Sequence, residues 1–177
     1  LGIGSLVLAF KLHEYASPAW VTECCRKAAE SGKRVALHIE NAGSLTPEEI
    51  TGSLSGLPLT DVQSIVYGDT ASRAVPLALY QSLVTLAKIP VAWEFHGHNQ
   101  LGLATANCIA ALRAGVHGIG TSVAAVGTHG HTAFEEVVAA SKFLLKINIE
   151  IPLELQQRCA TAMSRIGISI PGNKAVI

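Results

Sequence analysis

Two histidines, His96 and His98, stand two positions apart at the end of an apolar stretch. Side chains two positions apart on a β-strand point to the same face, so both imidazoles can offer a nitrogen to one divalent cation. A His-x-His pair is also common by chance, and it supplies only two of the three or more ligands that a metal site needs. The pair therefore predicts a metal site only if other ligands converge on the same strand end.

The composition is that of an ordinary enzyme domain. Hydrophobic residues make up 49% of the 177 residues, charged residues 15%, and the formal net charge is zero. We therefore expect neither a nucleic-acid partner nor a membrane partner. The longest apolar runs, such as residues 75–80, are far shorter than the ~20 residues that span a bilayer. The chain lacks a recognisable secretory leader, so we expect a cytoplasmic protein. It also lacks an initiator Met, so we expect it to be a piece of something longer.

The four cysteines show no Cys-x-x-Cys spacing, which argues against a structural zinc site or a disulfide framework. We expect buried free thiols in a reducing compartment. They are Cys24, Cys25, Cys108 and Cys159.

Strand-like and helix-like segments alternate along the whole chain. The predicted strands are 5–10, 34–40, 61–67, 90–95 and 118–123. The predicted helices are 17–31, a short helix after Thr46 and Pro47, 76–87, 102–114, 133–146 and 152–166. Five βα units with short connections predict a parallel sheet with helices outside it.

The sequence around the two histidines has a longer pattern. Residues 96–107 read His-Gly-His-Asn-Gln-Leu-Gly-Leu-Ala-Thr-Ala-Asn, and residues 109–115 read Ile-Ala-Ala-Leu-Arg-Ala-Gly. This run resembles the seventh strand and helix of the metal-dependent Claisen-condensing and lyase superfamily. That superfamily includes isopropylmalate synthase, homocitrate synthase and 3-hydroxy-3-methylglutaryl-CoA (HMG-CoA) lyase, which are TIM barrels.

The resemblance implies a fold and a division of the chain. A closed eight-unit barrel usually needs ~250 residues, so we expect an α/β fold that is a partial TIM (β/α)8 barrel of about the last five units, with parallel strands. This part covers residues 1–148. A C-terminal helix and a linker segment, covering 149–177, follow as an extension, and residues 168–174 resemble the linker that leaves the barrel in the synthases.

His38 and Glu40 end the predicted strand that corresponds to the family's fifth. The family has a Glu-Asp-Ala/Ser triplet there, whose glutamate lies in the active site; Glu40 matches it, and Asn41 replaces the aspartate. The resemblance implies that Glu40 is a catalytic, proton-handling group and that His38 lies with the substrate. A carboxylate that merely caps the loop is the alternative.

Thr70 follows Asp69 after the next predicted strand, and the pair resembles the family's Asp-Thr-Val-Gly turn. There the threonine hydroxyl contacts the carboxylate of a 2-oxo acid, so the resemblance implies that Thr70 binds substrate. An Asp-Thr turn that starts a helix is the structural alternative. Ala71 and Ser72 replace the family's Val-Gly.

The segment after the last predicted strand departs from the family, because its usual Glu-Arg pair is missing. Counting back from Glu135 and Glu136, His131 falls where many members place an asparagine near or on the metal, whereas His129 has no family counterpart. Loop histidines are most often solvated. We nevertheless predict that His131 joins His96 and His98 as a metal ligand.

The family's Asp-Arg-Glu motif, which supplies an aspartate ligand from the first strand, does not occur in the sequence. The constellation in this chain is therefore incomplete. Two imidazoles with one carboxylate and open positions suit zinc, manganese, cobalt or iron, with magnesium if several waters remain.

The resemblance implies an acyltransferase of the homocitrate synthase or isopropylmalate synthase type, in which the enolate of acetyl-CoA attacks a metal-polarised 2-oxo acid. The missing barrel strands then come from another segment or chain, so we expect a homo-oligomer or a complementary chain that completes the barrel. Two alternatives stay open. One is a carbon–carbon lyase of the HMG-CoA lyase or aldolase type, and the other is a non-catalytic half-barrel partner.

Overall fold

Strands and helices alternate in the computed structural model, which describes residues 5–10, 18–127, 130–147, 149 and 151–167. The strands are β1 (Ser5–Phe10), β2 (Arg34–Ile39), β3 (Val62–Asp69), β4 (Ala92–Gly97) and β5 (Gly118–Gly120). The α-helices are α1 (Pro18–Glu30), α2 (Pro47–Leu54), α3 (Pro76–Leu86), α4 (Ala104–Arg113), α5 (Phe134–Leu144) and α6 (Leu153–Arg165). Short 3₁₀ turns lie at Ala42–Ser44, Leu59–Asp61 and Val123–Ala125.

The five strands form one sheet in which neighbours in space are also neighbours in sequence. All four pairings are parallel, and the order is β1-β2-β3-β4-β5. Parallel neighbours need a crossover, and each crossover here contains at least one α-helix. The predicted α/β fold with parallel strands is confirmed, as is a helix that follows the last unit, although the predicted boundary at residue 148 stays a prediction.

The sheet has one apolar face and one mixed face. Successive side chains of a strand alternate between faces, and in β2 and β4 every second residue is buried beneath the helices. These buried residues form the core with the helices: Val35, Leu37, Ile39, Trp93 and Phe95. The opposite face carries His38, His96 and Val7, and Val7 is 62% exposed. This second face is therefore uncovered over part of the described chain.

Local signals in the sequence explain where the helices begin. At α2 the Thr46 side chain accepts a hydrogen bond from the Glu49 backbone N–H, and the Glu49 carboxylate accepts one from the Thr46 N–H. This reciprocal arrangement satisfies two amides that a helix start leaves unpaired. Proline at the first position fixes the backbone for both α2 and α3.

Four strand ends differ from the sequence prediction. β2 ends at Ile39 rather than at residue 40. β4 ends at Gly97 rather than at residue 95, and β3 ends at Asp69 rather than at 67, because the two strands stay in register up to the pair Asp69 and Gly97. β5 stops at Gly120 instead of continuing to 123. The backbone turns there, since Ala124 and Ala125 both adopt positive φ angles, 54° and 56°.

The thiols are free, as predicted, but only two are buried. Cys25 and Cys108 lie in the core, whereas Cys24 and Cys159 are partly exposed. Burial raises the pKa of Cys108 to about 11, against the opposing hydrogen bond with Thr132. In the described part of the chain, no helix combines the length and the apolar character needed to cross a bilayer.

Candidate metal centre

Three histidines, His96, His98 and His131, meet at the carboxyl end of β4. Each contributes one ring nitrogen, and these three nitrogens lie within 4.8 Å of one another. The ring centroids are 5.2 Å apart for His96 and His98, 5.0 Å for His96 and His131, and 4.6 Å for His98 and His131. The structure thus brings together all three residues that the sequence analysis assigned to the metal.

The fit to a cation follows from the donor set and the spacing. A triangle with 4.8 Å sides places its corners about 2.8 Å from its centre, whereas Zn–N bonds are about 2.0–2.1 Å long. An inward side-chain shift of less than about 1 Å would close the cluster around one ion. Clustered, half-buried imidazoles without a carboxylate among them are a donor set that suits a divalent transition metal.

Backbone hydrogen bonds hold the segment that carries His131. His131 and His98 form an antiparallel bridge, and the Asn99 N–H donates to the Gly130 carbonyl at 2.9 Å. The Thr132 side chain, which is fully buried, donates to the carbonyl of Gly97 at 3.1 Å. The loop after β5 is therefore joined to the end of β4 by main-chain contacts, which fixes the third imidazole beside the other two.

Glycines make room for the imidazole rings. A side chain on Gly68 of β3 would overlap Nε2 of His38, and one on Gly120 of β5 would bring its first carbon to 2.6 Å from Nδ1 of His96. Gly127 has a φ of +151°, which favours glycine, and a side chain there would lie 2.6 Å from Nε2 of His131. Each ring thus occupies the space above a glycine of a neighbouring segment.

The His96 ring is neutral and oriented. Burial, followed by the neighbouring His38, His131 and His98 rings, lowers the pKa of His96 to about 4, while a hydrogen bond with the Gly120 backbone opposes the shift. Nδ1 is the nitrogen that faces Gly120, so Nε2 is left for a ligand. Ligating histidines in proteins commonly direct their second nitrogen to a backbone carbonyl in this way.

His38 and Glu40 lie beside the cluster but outside it. The His38 ring meets the His96 ring edge to face, with centroids 5.7 Å apart. Burial lowers the pKa of His38, and His98 adds to the effect, whereas the Glu40 carboxylate opposes it. His38 Nε2 is buried and makes no hydrogen bond within the described structure. Glu40 is half-buried just after β2, and its charge acts on His38, so the two predicted residues share one neighbourhood.

Asp69 and Thr70 perform different tasks at the end of β3. The buried Asp69 carboxylate accepts hydrogen bonds from the Arg73 N–H at 2.7 Å and the Ala74 N–H at 3.1 Å. Burial raises the pKa of this carboxyl group, against those two hydrogen bonds. The Thr70 hydroxyl oxygen accepts from the Asn41 N–H at 3.5 Å. Asp69 therefore holds the turn before α3, and the hydroxyl proton of Thr70 is not used by that turn.

Sequence reasoning missed a carboxylate that anchors the His131 loop. The Glu135 side chain accepts a hydrogen bond from the Ala124 N–H at 2.8 Å, across the base of the loop. Ala124 has a φ of +54°, so this bond holds a residue in a conformation that alanine seldom adopts. The signal in the sequence is the acidic pair Glu135 and Glu136, which lies in the first turn of α5. His129 lies outside the described residues.

A family model described as HMGL-like matches residues 8–164. The chain belongs to the HMGL-like family. Its relatives in this family include synthases: it is 31% identical over 160 residues to a homocitrate synthase of Frankia alni, and that match covers 89% of this chain and 46% of the relative. A 2-isopropylmalate synthase 2 of Caldanaerobacter subterraneus is 27% identical, with 89% and 42% covered. This HMGL-like chain spans less than half the length of the curated relatives it matches.

Solved structures of similar fold include HMG-CoA lyases. The enzyme from Bacillus subtilis superposes with a TM-score of 0.81 over 98% of this chain and 67% of that chain, at 17% identity. The enzyme from Pseudomonas aeruginosa gives 0.82 over 97% and 66%, at 18% identity. Identities this low show the fold alone. The HMGL-like chain is thus a parallel α/β sheet that matches part of a TIM barrel, as predicted.

Proposed function

We propose that this chain supplies the metal-binding part of an acyltransferase that condenses acetyl-CoA with a 2-oxo acid, in the manner of homocitrate and isopropylmalate synthases. The observation that carries the proposal is the cluster of His96, His98 and His131 at the carboxyl end of a parallel strand. Barrel enzymes place their chemistry at that end of the sheet. The synthases among the relatives support the reaction class.

The proposed roles of the residues follow from their positions. The three imidazoles would hold a divalent metal, with zinc, manganese, cobalt, iron and magnesium as the candidate ions. The chemistry that such an ion supplies when bound is polarisation of a carbonyl oxygen. Thr70 would donate its hydroxyl proton to the carboxylate of the 2-oxo acid, because the Asn41 contact uses only the oxygen.

Glu40 and His38 would handle protons and orient substrate beside the metal. Burial lowers the pKa of His38, which favours the neutral ring, and a neutral imidazole donates from one nitrogen and accepts at the other. Its buried Nε2 lacks a hydrogen-bond partner in the described structure, a costly condition unless something else pairs with it. Glu40, half-buried next to it, is our candidate for the proton-accepting group.

A carbon–carbon lyase shares this scaffold and remains the alternative reaction. The solved structures of HMG-CoA lyases show similarity of fold alone, so they do not choose between cleavage and condensation. Product analysis with acetyl-CoA plus 2-oxo acids in one assay, and with HMG-CoA in another, distinguishes the two. Condensation products without cleavage products support the synthase proposal, and the reverse result contradicts it.

A cytoplasmic location stays a prediction.

Thr70→Val tests the proposed 2-oxo acid site. The protein, prepared with every chain that copurifies with it, should lose kcat/KM for the 2-oxo acid by a factor equivalent to about 1–3 kcal/mol, because the substrate carboxylate loses one donor. Valine keeps the branched shape, so the melting temperature should stay close to that of the wild type.

Thr85→Val is the matched control. Thr85 is an exposed threonine of α3 whose hydroxyl donates to the Gln81 carbonyl of the same helix. It should leave kcat/KM unchanged. If Thr70→Val melts several degrees lower while its kinetics stay at the wild-type level, Thr70 is part of the scaffold, and the carboxylate site is wrongly placed.

We further propose that the sheet is closed by a second copy of this chain or by a complementary chain. β1 and β5 are the edges of the described sheet, and Val7 is exposed on the face that carries the histidines. Proteins rarely leave such edges and faces bare. Light scattering should therefore report a particle heavier than the 18.5 kDa of one chain. A monodisperse particle of that single mass, which binds no apolar dye, would contradict closure by a partner.

A further inference from the structure

The ligands that this chain brings to its metal centre are all nitrogens. Among the described residues, the cluster around the cation position contains His96, His98 and His131 and no carboxylate. A neutral imidazole suits zinc, cobalt, nickel and copper, whereas magnesium and manganese favour oxygen ligands. His131 is the third imidazole of this cluster, at the position where the family resemblance implies an asparagine near or on the metal. That exchange alters which ion the centre prefers.

The third imidazole is not a loosely attached loop residue. The bridge between His98 and His131, and the bond from the Asn99 N–H to the Gly130 carbonyl, bring it to the same strand end as the other two rings. His131 N–H also donates to the Ala125 carbonyl at 3.2 Å. A ligand that is already in place before the ion arrives costs less ordering entropy on binding, so it contributes to affinity as well as to preference.

The His96 ring adds to the same preference. Its Nδ1 is held at the Gly120 backbone, which fixes the tautomer and leaves Nε2 as the donor. A hydrogen bond from the outer nitrogen to a carbonyl makes the inner nitrogen a stronger base. Magnesium gains little from such a ligand, because it is dehydrated reluctantly and retains several waters.

We infer that His131 makes this centre selective for a nitrogen-seeking divalent metal, zinc or cobalt, over magnesium and manganese. The inference rests on the metal site of the proposed function but not on the reaction. It concerns the ratio of two affinities, which is a property of the ligand set. A protein that binds zinc selectively and fails to condense acetyl-CoA would contradict the proposed reaction and leave this inference intact.

The test compares wild type with His131→Asn, prepared with all copurifying chains. Competition against a chromophoric chelator gives the affinities for Zn²⁺, Mn²⁺ and Mg²⁺. We expect His131→Asn to lower Zn²⁺ affinity by about 10–100-fold while the affinities for Mn²⁺ and Mg²⁺ stay within a few-fold. The Zn²⁺/Mg²⁺ ratio should therefore fall at least tenfold. Visible absorption of bound Co²⁺ should also change in His131→Asn, because a nitrogen ligand is replaced.

His117→Asn is the matched control, since His117 is exposed and its backbone N–H, not its ring, bonds Trp93. It should keep the wild-type ratio. An unchanged Zn²⁺/Mg²⁺ ratio in His131→Asn overturns the inference, and so does a wild-type protein that binds Mg²⁺ as tightly as Zn²⁺. The wild-type ratio decides the matter if circular dichroism shows that His131→Asn is unfolded.

Discussion

The double substitution His96→Ala, His98→Ala is expected to abolish divalent metal binding. It removes two of the three clustered imidazoles and leaves His131 as a single ligand. One neutral imidazole holds zinc weakly, because the affinity of a metal site comes from several ligands arranged around the ion. The measured dissociation constant should rise by more than about 100-fold, the upper range seen when only a supporting group is removed. Elemental analysis after dialysis gives the metal content, and calorimetric titration gives the dissociation constant.

The comparison needs a fold check and a surface control. The His96 ring lies on the open face of the sheet over Gly120, and His98 follows the last residue of β4. Neither residue belongs to the buried core, so alanine should leave that core unchanged. Circular dichroism should match the wild type. His117→Ala removes an exposed histidine and should retain full metal content. Equal metal content in the wild type and the double variant would show that the ion binds elsewhere.

The second large effect is expected from Asp69→Ala, on stability. Asp69 is 1% exposed, and its carboxylate accepts hydrogen bonds from the Arg73 and Ala74 amides. Alanine leaves those two donors without their acceptor, at about 1–3 kcal/mol each. For a chain of this length, each kcal/mol lowers the melting temperature by about 2–4 °C. We therefore expect a fall of about 4–24 °C in a thermal melt followed by circular dichroism.

Two further variants separate the hydrogen bonds from the loss of a charge. Asp69→Asn keeps one acceptor oxygen and should recover much of the stability that alanine loses. Asp61→Ala removes an exposed aspartate from the 3₁₀ turn before β3, and surface changes of this kind usually stay within about 0.5 kcal/mol. A melting temperature for Asp69→Ala equal to that of Asp61→Ala would mean that the turn does not depend on the carboxylate.

The order of strands and helices was predictable because local patterns encode it. Alternating apolar residues mark β2 and β4, and the Thr46 to Glu49 pattern marks the start of α2. The strand ends were less predictable. They depend on which residues pair across strands, and the match of Asp69 with Gly97 involves residues that are 28 positions apart. A short sequence pattern around either residue does not show which residue of the other strand it pairs with.

The site was predictable to a similar degree. His96 and His98 share a spacing that any strand would bring together, whereas His131 could be assigned only by its distance from Glu135 and the family resemblance. The bridge that brings His131 to His98 joins residues 33 positions apart. Nothing near His131 in sequence reports it. Asp69 and Thr70 looked like one turn motif, and only the hydrogen bonds separate the structural residue from the candidate substrate ligand.

The glycines beneath the imidazole rings restrict how this protein can change by substitution. The His38 ring fits only because Gly68 has no side chain, and the His96 ring fits only because Gly120 has none. Each ring is therefore sterically coupled to a glycine that is distant in sequence. A lineage that replaces either glycine first must displace the ring above it. The histidine has to be replaced before its glycine can change, so the two substitutions have a fixed order. A glycine that remains after its histidine has been lost is then the expected trace of a site that no longer functions.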